Sequence, residues 1–172
     1  TLYWIIGLFD KETECLIGDI RQDLHDQFNA DLSGRPHLSL AGYRELDLET
    51  YIYMMDHYLP SLSCLSLNFQ SIGAFMEYPA CFLTPVMTKE LMQFHIDYYE
   101  HFKRFRFAAN ELYLPDSWVP HCTMISQMPK DQMIEELSAC LHLFKPFSAK
   151  IVEVALVQDV GPLVHSASLK KT

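Results

Sequence analysis

The apolar patterning of this 172-residue chain describes nearly the same unit twice: strand, helix, histidine strand, helix, strands, and then again helix, histidine strand, helix, strands. Leu2 to Phe9 reads as a strand, and Leu16, Ile20, Leu24 and Phe28, with Ile17 beside them, recur at the spacing of a helix over roughly 12–28. A strand is expected at 36–43, and Leu48, Tyr51, Ile52, Met55 and Leu59 mark a second helix that ends before Pro60. Leu65, Leu67 and Phe69 alternate with Ser66, Asn68 and Gln70, the pattern of a half-buried strand. A break is expected at Ser71-Ile72-Gly73, followed by short strands at Ala74–Glu77 and Cys81–Thr84. A third helix fits Thr88 to about Phe105, capped by Thr88, with Leu91, His95, Tyr98, Phe102 and Phe105 on one side. The second histidine strand falls at about 119–125. A helix carrying Met133, Ile134, Leu137, Leu141 and Phe144 follows, then a long strand from Phe147 to Val157, a turn at Gly161-Pro162 and a short final strand. Helical crossovers mixed with hairpin-like neighbours predict an α+β architecture. No glycine-rich phosphate loop follows any strand, so a doubly wound nucleotide-binding sheet is disfavoured.

The two histidine strands carry tripeptides of one form: His37-Leu38-Ser39 within Arg-Pro-His-Leu-Ser-Leu, and His121-Cys122-Thr123 within Val-Pro-His-Cys-Thr-Met. Side chains at i and i+2 of a strand share a face. Each tripeptide therefore offers an imidazole and a hydroxyl side by side, and Leu38 and Cys122 are expected to face the core. Two such strands facing one cleft make a symmetric acid–base pair. The other histidines, His25, His57, His95, His101, His142 and His165, are read as surface or core filling. His95 and His101 lack the i, i+4 spacing of a helical zinc pair.

With 49% hydrophobic residues and no linker, the chain is expected to form one bilobal domain over 1–172. No apolar stretch approaches the roughly 20 residues of a membrane span, so no membrane association is expected. Cys15, Cys64, Cys81, Cys122 and Cys140 are odd in number and scattered without Cys-x-x-Cys spacing, as in a reduced protein. No secretory signal precedes or follows the first strand, and a cytoplasmic location is expected; the chain does not open on Met, which leaves upstream residues open. The net charge of −9 disfavours long nucleic acid, whose phosphates demand several cations, and favours a small ligand. The one basic cluster, Lys103, Arg104 and Arg106 among Phe102, Phe105 and Phe107, is read as the cationic end of a helix.

In its paired His-x-Ser/Thr motifs the chain resembles the 2H phosphoesterase superfamily, which includes the bacterial 2′-5′ RNA ligase and cyclic phosphodiesterase family. The likeness extends through Arg35–Ala41, Trp118–Thr123 and the intervening Ser71-Ile72-Gly73-Ala74-Phe75. It implies two antiparallel sheets flanked by helices, related by a pseudo-twofold axis, with one histidine strand per lobe and a metal-independent site in the central groove. The implied chemistry is hydrolysis or transfer at a phosphodiester, often a 2′,3′-cyclic phosphate or a 2′-5′ linkage of a small nucleotide or RNA terminus. Many members carry a basic residue shortly after the second motif. Ser126 and Gln127 stand there instead, which predicts a looser grip on a bare phosphate and makes hydrolysis a better expectation than ligation.

Opening such an ester needs a base and an acid, and imidazoles with an ordinary pKa of about 6.5 serve for both. His37 and His121 are the expected pair, with Ser39 and Thr123 donating hydrogen bonds to nonbridging phosphate oxygens. Tyr43 shares parity with His37 and Ser39, and Trp118 stands just before the second motif. Each is either a surface on which a base stacks or a partly buried aromatic. No cofactor or metal is expected: a zinc site on His37 and His121 would lack a recurring third ligand. The alternative function is a nucleotide or RNA-end binding module without turnover.

Overall fold

The computed structural model describes residues 2–159 and 161–171. Its strands are β1 (Tyr3–Phe9), β2 (His37–Tyr43), β3 (Leu65–Phe75), β4 (Ala80–Pro85), β5 (Cys122–Ser126), β6 (Phe147–Gln158) and β7 (Leu163–Ser168). They pair antiparallel in the order β2-β1-β6-β3-β4-β5, with β7 alongside β6. The two expected antiparallel layers are thus two four-stranded leaves of one hydrogen-bonded sheet. Residues 151–158 of β6 pair with β1 and 153–157 with β7, while residues 147–151 pair with Leu65–Phe69 of β3. The strand β6 belongs to both leaves. The leaves end in edge strands β2, which opens on His37, and β5, which His121 immediately precedes rather than lying within a strand over 119–125, and these two edges approach each other.

Four helices back the sheet: α1 (Lys11–Phe28), α2 (Leu48–Tyr58), α3 (Lys89–His101) and α4 (Met133–Leu143). Thr88 caps α3 by accepting from the Leu91 N–H at 3.1 Å, and Asp47 does the same for α2. The helix α1 leaves β1 of the first leaf but packs against β5 of the second and against α4. On the other side α2 and α3 meet β2 through a stack of rings, in which Tyr51 lies 5.6 Å from Tyr43 and its hydroxyl bonds that of Tyr98. One buried cluster runs from Ile5 and Ile17 through Leu38, Tyr51, Phe69 and Cys122 to Ile151. A smaller one, Ile6, Leu8 and Ala155 with Trp4 and Val157 against it, lies on the opposite face of the first leaf. None of the described helices is long and apolar enough to cross a membrane.

The patterning misplaced some faces. The buried line of α1 is Thr13, Ile17 and Leu24, with Leu16 exposed. That of α4 is Glu136 and Cys140, with Ile134 and Leu141 turned to solvent. The expected break at Ser71-Ile72-Gly73 is a register shift between Phe69 and Ser71, and the strand runs on through it. The third helix ends at His101, and Lys103–Ala108 forms a 3-10 turn, so the basic cluster lies beyond the α-helix rather than on its last turn.

Candidate active site

The two histidine strands are built alike. The residue before a proline is held extended, and in both strands its carbonyl accepts the imidazole proton two residues on. His37 Nδ1 donates to Arg35 O at 2.8 Å and His121 Nδ1 to Val119 O at 2.7 Å. Each bond fixes the ring and leaves Nε2 as the free nitrogen. His37, Ser39, His121 and Thr123 are all half-buried, while Leu38 and Cys122 are buried in the core, as strand alternation requires.

Directly after each hydroxyl the register slips by one residue. Ile6 pairs with Ser39 and Ile5 with Ala41, skipping Leu40; Phe82 pairs with Thr123 and Cys81 with Ile125, skipping Met124. These are matched β-bulges at equivalent positions of the two motifs, and a bulge re-aims every side chain beyond it. Tyr43, whose parity from His37 would set it in the groove, is therefore turned to the other face and is 1% exposed. It does not line the groove. Trp118 is also buried, at 8% exposure, stacked on His95 with ring centroids 3.7 Å apart and planes within 3°. Its Nε1–H donates to Ser39 O at 3.0 Å, so the indole is buried with one face and its donor edge already taken, and offers no open surface to a base.

The aromatics on the site's own face are others. Trp4 alternates with Ile6 and Leu8, the residues paired with Ser39 and His37, and its ring lies flat over Gly42, where a Cβ would meet it at 2.6 Å. In the second leaf Phe75 stands edge-on to His121 at 4.8 Å and Phe82 lies at 5.2 Å. The Phe82 ring covers Gly73, where a Cβ would come within 2.8 Å. The alternation within β1 and the Gly42 opposite Trp4 were the signals in the sequence that pointed to Trp4, but they are read only once the register is known.

The two motifs are close enough to interact. The Cys122 thiol meets the backbone of His37, and the charge of His121 acts on His37. Burial lowers the pKa of His37 below its ordinary 6.5, with smaller contributions in the same direction from the Arg21 guanidinium and His121. Burial also lowers that of His121. Burial pushes the Cys122 thiol up to about 12, which keeps it protonated and inert. At the rim, Arg35 forms a forked pair with Glu14 at 2.9 and 2.8 Å and lies 3.8 Å from Glu153, so its charge is already matched. Among the described residues no three His, Cys, Asp or Glu side chains converge as metal ligands.

This geometry, two imidazoles and two hydroxyls presented by twinned edge strands, is suited to acid–base chemistry at a phosphate. The family model of the 2′-5′ RNA ligase superfamily matches residues 10–162. The chain belongs to that superfamily, the 2H phosphoesterases, and is an enzyme of that kind. Its fold is shared by TT0787 of Thermus thermophilus, at 12% identity over 99% of each chain and a TM-score of 0.68. Escherichia coli LigT in its apo form matches at 13% identity over 98% of this chain and 97% of that one, with a TM-score of 0.63. LigT structures complexed with NADP+, 3′-AMP, ATP and phosphate match as well. Kluyveromyces marxianus Usb1 is more distant, at 9% identity over 98% of this chain and 97% of that one, with a TM-score of 0.53. No curated protein matches the chain in sequence.

Proposed function

We propose that the protein cleaves, or transfers at, a cyclic or 2′-5′ phosphodiester of a small nucleotide or RNA end without a metal, using His37 and His121 as general acid and base. The observation that carries this reading is the matching anchoring of the two rings, each Nδ1 spent on the carbonyl two residues before it and each Nε2 left free. A proton can then be taken at one Nε2 and given at the other. Ser39 and Thr123, beside them on the same faces, are the donors for nonbridging oxygens. Trp4 and Phe75 replace Tyr43 and Trp118 as the aromatics against which a base would lie. Hydrolysis is favoured over ligation because Ser126 and Gln127 stand where a phosphate-gripping cation would be, and because Arg35 is held by Glu14 and Glu153. Small nucleotides are the favoured class, in keeping with the 3′-AMP and ATP complexes of LigT. Five free cysteines, three of them buried, support a reducing compartment such as the cytoplasm.

The deciding experiment is a turnover screen of 2′,3′-cyclic nucleotides, 1″,2″-cyclic ADP-ribose phosphate and short 2′-5′ oligoadenylates in EDTA. Metal-free turnover of one of these is the expected result. Tight binding of a nucleotide with no turnover by the wild type would replace the enzyme reading with the binding module.

The pH profile is a second check. Both imidazoles titrate below 6.5 in the free protein, so above that pH neither carries the proton the acid must donate. Since kcat/KM reports the free enzyme, it is expected to peak below about pH 6.5. A bound phosphate favours imidazolium, so kcat should peak at a higher pH than kcat/KM. Coincident optima above pH 7.5 would contradict the assignment.

A further inference from the structure

We propose that Trp118, supported by His95, is a positioning residue that sets the separation of the two imidazoles by tying the second histidine strand to the bulge of the first. This rests on the reading of His37 and His121 as acid and base. The problem it answers is geometric: β2 and β5 are the two end strands of the sheet order, and no pairing ladder joins them. The shared strand β6 holds the leaves together at their far side, and across the seam itself the spacing falls to side-chain contacts.

Trp118 supplies the tie. Its Nε1–H reaches Ser39 O at 3.0 Å, the carbonyl of the groove hydroxyl residue itself, two residues from His37. From Trp118 the chain needs only Val119 and Pro120 to reach His121, and both intervening carbonyls are held: Val119 O by His121 Nδ1 and Pro120 O by Thr84 Oγ1 at 2.9 Å. The path from one imidazole to the other is therefore anchored at Ser39 O, Val119 O and Pro120 O.

His95 grips the adjacent carbonyl. Its Nε2 donates to Leu40 O at 3.0 Å, on the bulge residue that β1 skips, while its ring lies parallel on the Trp118 indole at 3.7 Å. Two parallel, stacked rings thus hold the consecutive carbonyls of a bulge, where the ladder leaves polar groups unpaired. An N–H to carbonyl bond adds little net stability, because the unfolded chain makes equivalent bonds to water. A displacement of 1 Å at a reacting centre, by contrast, can lower a rate about 100-fold. The contribution of Trp118 should therefore be read in turnover more than in stability.

The test compares Trp118→Phe, His95→Phe and His95→Gln with the wild type on its preferred 2′,3′-cyclic nucleotide, beside the His37→Ala control. Trp118→Phe keeps an aromatic ring for His95 while removing the donor and part of the indole's bulk; kcat is expected to fall roughly 10–100-fold with KM changed less than about threefold. His95→Phe should lower kcat in the same way, and His95→Gln, which returns an N–H to Leu40 O, should restore most of it. Wild-type kcat in Trp118→Phe, or equal losses in His95→Gln and His95→Phe that track their melting temperatures, would overturn the proposal. Should wild-type turnover be indifferent to His37→Ala, the acid–base reading has failed, and the strut is decided by NMR instead. The imidazole Hε1 resonances of His37 and His121 should both move in Trp118→Phe; resonances that stay in place would rule the strut out.

Discussion

Replacing either His37 or His121 by alanine is expected to lower the rate on the preferred phosphodiester by roughly 10²–10⁴-fold, about 3–5 kcal/mol of barrier. The half-buried rings are held through Nδ1 and present Nε2, so each truncation removes one proton-transfer group and little else. The double variant should be far from multiplicatively worse, because an acid and a base act as a unit. Ser39→Ala and Thr123→Val each remove one hydrogen bond and leave proton transfer in place, so smaller losses are expected. Thermal melts accompany the rates: His121→Ala also strips packing from Phe75 and Phe82, with an expected cost of about 1 kcal/mol. Either histidine variant turning over at the wild-type rate while folded would end the two-histidine mechanism.

The second large effect is on acid stability, and it centres on His95. Burial lowers its pKa to about 4, whereas in the unfolded chain it titrates near 6.5. Below pH 6.5 the unfolded state binds a proton that the folded state refuses, so stability present at neutral pH is lost as the pH falls toward 4. The loss is about 3 kcal/mol by that point. Denaturant melts of His95→Gln should start lower at pH 7, for want of the stack on Trp118, and fall less steeply between pH 6.5 and 4, so that the two curves converge. Parallel curves would mean that His95 takes up its proton without unfolding.

Much of the succession of strands and helices along the chain was legible because alternation and helical spacing are local signals. Leu65, Leu67 and Phe69 are buried and Ser66, Asn68 and Gln70 exposed, as their alternation says. The face of the His-x-Ser/Thr pair was legible for the same reason, since two residues of a strand lie too close together for an irregularity to intervene. Tyr43 lies beyond Leu40, and a bulge is a property of two paired strands rather than of either sequence. Trp118 was obscured differently. Its neighbours in the sequence place it beside the motif, but its indole is claimed by His95 and Ser39 O, partners 23 and 79 residues away. In α4 the seam follows Glu136 and Cys140 although Ile134 and Leu141 are the more apolar residues. Among the described residues no hydrogen-bond partner meets Glu136 Oε1 to explain the choice.

The sharing of β6 between the leaves bears on how the groove can select what enters it. Two lobes joined by loops could close over a ligand by rotating, with strain confined to a few backbone torsions. Here the joint is a twelve-residue strand paired with β1 and β7 along one half and with β3 along the other. Opening or closing the groove must bend that strand or break its ladder. A ligand site between the two edge strands would then act as a gauge of fixed aperture rather than a jaw. Discrimination falls to the dimensions of the ligand, and substrates of different bulk should differ more in whether they enter than in how the protein rearranges around them.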